Sequence, residues 1–254
     1  MIDVQRNILP ELDGGAKSLT ESIAITREAV NQGIEKIIAT PQYNEETSTN
    51  SRETILQSVY DLNEILQQEN IPVEILPGQE IKVYGNVNED LIEDKLLPLN
   101  ENSNYVLIQL PDNHVPQYFT QIIFDMQIAG YKPIVVSPEQ NEEFMKNPDK
   151  LYSLVKNGAL TQIRAESLIG KAGNKVQKFA YQIAEANLAH FVATNYFVKK
   201  RKVALRAALK EIERKCGESI RFKLKDNIQK LVDGQVVYQD PPERITKKRK
   251  WFLV

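Results

Sequence analysis

The feature that most constrains this chain is a regular alternation. Seven short apolar runs, at residues 2–4, 36–39, 73–76, 105–110, 132–136, 159–163 and 190–193, are separated by segments with helical patterning. Most of the runs are continuous and rich in β-branched residues, as expected for strands buried on both faces. The intervening helices are expected at 18–32, 50–69, 116–129, 141–156, 171–187, 199–215 and 221–232. The first opens with Ser18-Leu19-Thr20-Glu21, the pattern of a capping box. Strand–helix alternation with short connections implies parallel strands joined by right-handed crossovers. About seven such units point to an α/β barrel, incomplete or distorted, with an open doubly wound sheet as the alternative. A chain of 254 residues suffices for one such domain, expected over 1–240.

In a parallel barrel the chemistry sits at the C-terminal ends of the strands. Those ends carry Gln5 and Asn7, then Gln42 and Tyr43, Glu80, Gln109, Ser137 with Glu139 and Gln140, Gln162 with Arg164, and Asn195 with Phe197. Positions 5 and 7 share one face of a strand, and Arg6 points to the other. The set is polar but nearly uncharged. Amides form hydrogen bonds but are poor general bases and weak metal ligands. Only two histidines exist, His114 and His190, too few for an imidazole-rich metal centre. The net charge of −2 excludes nucleic-acid binding by bulk electrostatics. One cysteine, Cys216, permits no internal disulfide, which fits a cytoplasmic protein. The start of the chain carries no signal-peptide pattern, and no apolar run reaches the length of a membrane span.

The segments "MIDV", "IIATPQYN", "EILPGQEIKVYG", "DNHVPQY", "GALTQIRAESLIGKAG" and "LAHFVAT" occur in an order and spacing that resemble a known family. It is that of the bacterial manganese-dependent protein-tyrosine phosphatases of capsule and exopolysaccharide operons, in the PHP (polymerase and histidinol phosphatase) superfamily. The resemblance covers nearly the whole chain and implies a distorted seven-stranded β/α barrel of PHP type. It also implies a metal site, which this chain does not reproduce. The family's His-x-His falls on Gln5 and Asn7. Its Asp-Asp-Gly-Ala turn reads Asp13-Gly14-Gly15-Ala16, so Gly14 replaces an aspartate. Its Thr-Pro-His-His ends in Gln42 and Tyr43. The glutamate of Pro-Gly-Gln-Glu is retained as Glu80, while a strand glutamate becomes Gln109. His-Pro-Glu-Arg becomes Ser137-Pro138-Glu139-Gln140, and Ser-Asp-Ala-His becomes Thr194-Asn195-Tyr196-Phe197.

Manganese hydrolysis needs the metal to be held, and Glu80 alone is insufficient. The resemblance with these replacements therefore implies a catalytically inactive relative with no cofactor. Such a protein would be a homo-oligomeric binding or regulatory partner of a bacterial tyrosine kinase or its tyrosine-rich tail. Arg164, Lys199, Lys200 and Arg201 are the candidate phosphate- or partner-binding cations. The alternative is an active phosphatase with a rearranged metal site built from Glu80, Glu139, Asp3 and Asp13. Residues 241–254 change character, with four basic residues from Lys247 followed by Trp-Phe-Leu-Val. Such a tail is either solvated or makes peripheral contact with a membrane or partner.

Overall fold

The computed structural model describes residues 1–12, 15–47, 50–101, 103–194 and 205–246. The strands are β1 (Ile2–Arg6), β2 (Lys36–Ala39), β3 (Gln42–Tyr43), β4 (Glu74–Pro77), β5 (Glu80–Lys82), β6 (Tyr105–Gln109), β7 (Lys132–Val136), β8 (Leu160–Arg164) and β9 (Phe191–Ala193). The helices are α1 (Leu19–Asn31), α2 (Arg52–Gln68), α3 (Val87–Ile92), α4 (Phe119–Ile128), α5 (Glu142–Lys146), α6 (Pro148–Lys156), α7 (Ala165–Leu168), α8 (Asn174–Glu185), α9 (Leu205–Cys216) and α10 (Glu218–Val232). All seven apolar runs of the sequence are strands.

Every strand pairing is parallel, as the crossovers require. The expected seven-stranded barrel is corrected to nine strands, among the described residues, in two sheets ordered β1-β2-β4 and β3-β5-β6-β7-β8-β9. The difference lies in two chain passes that split. β2 leads into β3 through Thr40-Pro41, and β4 into β5 through Gly78-Gln79, each pair crossing from one sheet to the other. No ladder joins β1 to β9 among the described residues.

Alternate strand residues feed two apolar layers. Val106, Ile108, Val135, Ile163 and Val192 pack against the surrounding helices. Val4, Ile38, Leu76, Leu107, Ile134, Leu160 and Phe191 face inward, where Ile228 and Leu231 of α10 and Val237 cover them. The Tyr105 hydroxyl donates to the Gln235 carbonyl (2.8 Å) and accepts from the Val237 amide (2.9 Å), which ties this cover in place.

Helix starts follow side-chain capping. Ser18 accepts from the Glu21 amide, Ser51 from Thr54, and Asn141 from Phe144. The expected helix over 141–156 is two helices, because Pro148 lacks an amide hydrogen and forces Asn147 out of helical geometry (φ −133°, ψ 81°). The expected helix from 199 is described from Leu205, and that from 221 begins at Glu218.

Candidate functional site

The site is built at the C-terminal ends of the strands, and a bulge in β1 sets its geometry. Asp3 pairs with Ile37 and Arg6 with Ala39, so β1 spends one residue more than β2 across the same span. Ile37 and Ala39 belong to the helix-facing layer, and Asp3 and Arg6 share that side. Val4 packs in the inner layer, and Gln5 turns inward as well, where its side chain meets Gln162 of β8. The strand face carrying Gln5 is therefore inward, and Arg6 points away from it, as the sequence implies.

The amides pair with one another. Gln162 Nε2 donates to Gln5 Oε1, with both side chains buried. Gln42 Nε2 donates to Gln109 Oε1 at 2.5 Å, and the Gln42 carbonyl accepts from Asn50 Nδ2 at 2.7 Å. Gln140 reaches Ser167 Oγ (3.2 Å) and accepts from Arg164 Nη1 (3.4 Å). Asn7 is buried, and neither of its amide atoms has a hydrogen-bond partner; the same holds for Thr40 Oγ1, Ser137 Oγ and Arg164 Nε. Buried polar atoms of this kind are ordinarily satisfied by water or a ligand. Tyr43 turns to the helix side and packs beside Tyr84, ring centroids 6.1 Å apart.

Ser137 holds a left-handed backbone (φ 50°, ψ 46°), uncommon outside glycine, and starts a single 3-10 turn over Pro138–Gln140. That turn delivers Glu139 into the interior. Its carboxylate accepts from the Arg164 amide (3.0 Å) and the Ser167 hydroxyl (2.7 Å), at the start of α7. Burial raises the Glu139 pKa, and those bonds oppose the rise. Glu80 is also buried. A cavity of about 30 Å³ lies among Gln109, Ser137, Gln140 and Arg164, room for roughly one or two waters. Beside it a wider depression of about 440 Å³ is lined by Glu45, Lys82, Tyr84, Gln109 and Asp112.

Gly14, Asn195, Phe197, Lys199, Lys200 and Arg201 lie outside the described residues, as does Asp13. Of the candidate cations, the structure places Arg164 at the cavity. The two histidines stand elsewhere. His114 is exposed beside Asn113. His190 is buried, its Nδ1 accepts from the Thr161 amide (3.1 Å), and burial lowers its pKa to about 4.

Behind β1, Asp3, considered from the sequence as a ligand of a rearranged metal site, instead makes a link that the sequence did not show. Asp3 is fully buried and accepts from both the amide (3.0 Å) and the hydroxyl of Thr194, the residue after β9. Arg6 Nη1 lies 3.5 Å from Asp3 Oδ2, with both side chains almost wholly enclosed. This link joins the two strands that no ladder connects. Glu166 of α7 is also there. Burial, aided by the charge of Asp3, raises its pKa to about 7. The signal for Asp3 was present in the sequence, a lone carboxylate inside the apolar run Ile2–Val4, but its partner is 191 residues away.

A family model for capsular polysaccharide synthesis, CpsB/CapC, matches residues 1–233. The chain belongs to the CpsB/CapC family. It is 41% identical over 253 residues to the tyrosine-protein phosphatase YwqE of Bacillus subtilis (strain 168), covering 99% of both chains. It is 30% identical to the putative tyrosine-protein phosphatase CapC of Staphylococcus aureus, again over 99% of both. The fold superposes with a TM-score of 0.93 on a crystal structure from a study of YwqE and of CpsB from Streptococcus pneumoniae, described as unique metal-dependent tyrosine phosphatases. That match has 40% identity and covers 97% of this chain and 100% of the other.

At the described strand ends this CpsB/CapC chain presents mostly neutral amides, where such metals call for charged or imidazole donors. Gln5 is hydrogen-bonded to Gln162 and Gln42 to Gln109, while the side-chain amide of Asn7 has no partner among the described residues. Of the carboxylates proposed for a rearranged site, Asp3 is engaged by Thr194 and Arg6, and Glu139 by Arg164 and Ser167. Among the described residues no group of three or more His, Cys, Asp or Glu side chains is placed to hold a metal ion. Cys216, at the end of α9, is no nucleophile candidate, since burial pushes its thiol up to about 11.

Proposed function

We propose that this member of the CpsB/CapC family is a non-hydrolytic partner in a tyrosine-kinase system of capsule or exopolysaccharide synthesis. In this reading it binds a tyrosine-rich segment of the kinase without removing phosphate. The observation that carries the reading is the pairing of Gln5 with Gln162 and of Gln42 with Gln109 at the strand ends. A metal-activated water needs ligands that hold a cation, and neutral amides bonded to one another are weak ones. The 440 Å³ depression beside Gln109 is where a tyrosine side chain would rest, with Arg164 supplying positive charge nearby. A homo-oligomeric, cytoplasmic protein is part of the same proposal.

The test is a calorimetric titration with a tyrosine-rich peptide, in phosphorylated and plain forms. Saturable binding that Gln109→Ala or Arg164→Gln weakens supports the reading. Absence of binding by both forms overturns it.

A further inference from the structure

Three neighbouring strands, β3, β5 and β6, end side by side, and the chain leaving them walls the depression of about 440 Å³ beside Gln109. Its charge is uneven. Glu45 and Glu46 leave β3 and Asp112 follows β6, so three carboxylates line it against one ammonium, that of Lys82. All four side chains are exposed, and among the described residues none is in an ion pair. Their charges are therefore not neutralised by one another's neighbours and face whatever enters. The parallel strand order brings Asp112 to Glu45 across 67 residues of sequence, counted as 112 − 45.

One wall is aromatic. Tyr84 is buried, and its hydroxyl donates to Asp90 Oδ2 at 2.6 Å, so the phenol is fixed and offers its ring. Burial and that bond raise the Tyr84 pKa, and the charge of Glu45 adds to the rise. Positive charge lies on the other side of Gln109. Arg164 lines the smaller cavity of about 30 Å³ and not the depression. That cavity has room for roughly one or two waters, less than a phosphoryl group with its phosphorus and three further oxygens. A phosphate carried by a tyrosine in the depression would therefore stay among Glu45, Glu46 and Asp112, with Lys82 as the described cation beside it. Lys199, Lys200 and Arg201, like the basic tail from Lys247, lie outside the described residues.

On the reading that this depression takes a tyrosine, we propose that it selects the unphosphorylated side chain, in a segment that carries lysine or arginine next to the tyrosine. The neutral ring lies against Tyr84 and Gln109, and the flanking cations meet Glu45, Glu46 and Asp112. Phosphorylation sets about −1.5 to −2 of charge against the same carboxylates. The protein thus holds the dephosphorylated state of its partner and releases it when the tyrosine is phosphorylated. An exposed charge pair is worth up to about fivefold in affinity, so losing the facing pairs and gaining repulsion weakens binding about tenfold.

The full chain is titrated by fluorescence anisotropy with a labelled peptide, Gly-Lys-Lys-Tyr-Lys-Lys-Gly. Three relatives of that peptide are compared with it, one with phosphotyrosine, one with Glu in place of each Lys, and one with Leu in place of Tyr. The plain lysine peptide is expected to bind tightest, with the phosphorylated and glutamate peptides each about tenfold weaker. Glu45→Gln/Glu46→Gln/Asp112→Asn, at exposed positions, is expected to shrink both differences to about twofold, with thermal unfolding confirming that the variant is folded. Raising the salt to about 0.5 M is expected to shrink them as well. If no peptide binds, or the leucine peptide binds as tightly as the tyrosine peptide, the tyrosine reading itself falls and the proposal with it. If binding depends on the tyrosine but the phosphorylated peptide binds as tightly as the plain one, or the triple variant leaves the preference unchanged, the proposal alone is overturned.

Discussion

Replacing Asp3 with Asn isolates the link between β1 and the end of β9. The carboxylate is fully buried, holds the amide and hydroxyl of Thr194, and stands 3.5 Å from a guanidinium that is itself enclosed. Asn keeps the shape but removes the charge, and it sets an amide group against Thr194, whose N–H also donates. Arg6 would then be a buried cation without compensation, a change that costs about 3–5 kcal/mol. Against the roughly 5–15 kcal/mol that stabilises ordinary domains, such a loss is severe. Urea unfolding followed by far-ultraviolet circular dichroism measures it. With a slope of about 3 kcal/mol per molar, the midpoint falls by about 1 M or more. Arg6→Met in the Asp3→Asn background removes the stranded cation. The double variant is therefore expected to lose less than the sum of the single losses, by at least about 1.5 kcal/mol. A loss under about 1 kcal/mol for Asp3→Asn would refute the reasoning. It would mean that burial, which raises the Asp3 pKa, already keeps the carboxyl neutral in the folded state.

Further outcomes follow from the same geometry. Glu166 has a folded pKa of about 7 against an ordinary 4.5, so between those values the folded state holds a proton that the unfolded state has released. Its contribution to stability is lost as pH rises through that window, and Glu166→Gln is expected to flatten the fall in melting temperature between about pH 5 and 8. His190 has a folded pKa of about 4, so its contribution is lost as pH falls from about 6.5 toward 4, and its ring resonances should stay those of neutral imidazole at pH 6 in an NMR titration. Gln5→Ala strands its partner Gln162 and is expected to cost about 1–3 kcal/mol in thermal unfolding, whereas replacing both with Leu should cost less. Gly78→Ala places a Cβ 2.8 Å from Ile38 Cγ2 and 2.9 Å from Leu99 Cδ2, between β4 and β5, and is expected to cost about 1–3 kcal/mol on the same assay.

The long strands were legible because each is a continuous apolar run with helical patterning on either side. β3 and β5 were not, since two or three residues such as Gln42–Tyr43 carry no periodicity of their own. They are strands because Thr40-Pro41 and Gly78-Gln79 carry the chain into the second sheet. The amide character of the strand ends was legible residue by residue, and the inward face of Gln5 followed from period-2 reading. The bulge that makes Val4 inward too was not visible, because it exists only in the register against β2. Nor were the pairings visible. Gln5 meets Gln162 across 157 residues and Gln42 meets Gln109 across 67, and only the parallel order of strands brings them together. The Asp3–Thr194 link likewise depends on which strand ends become neighbours.

The proposed non-hydrolytic role rests on the pairing of Gln5 with Gln162 and of Gln42 with Gln109 at the strand ends. It is tested most directly by measuring bound manganese and the hydrolysis of p-nitrophenyl phosphate on one preparation of the full chain, with and without added manganese. The account predicts manganese well below one equivalent after desalting and no turnover above the protein-free rate. Stoichiometric manganese with turnover that depends on it, and that Glu80→Gln abolishes, would contradict it.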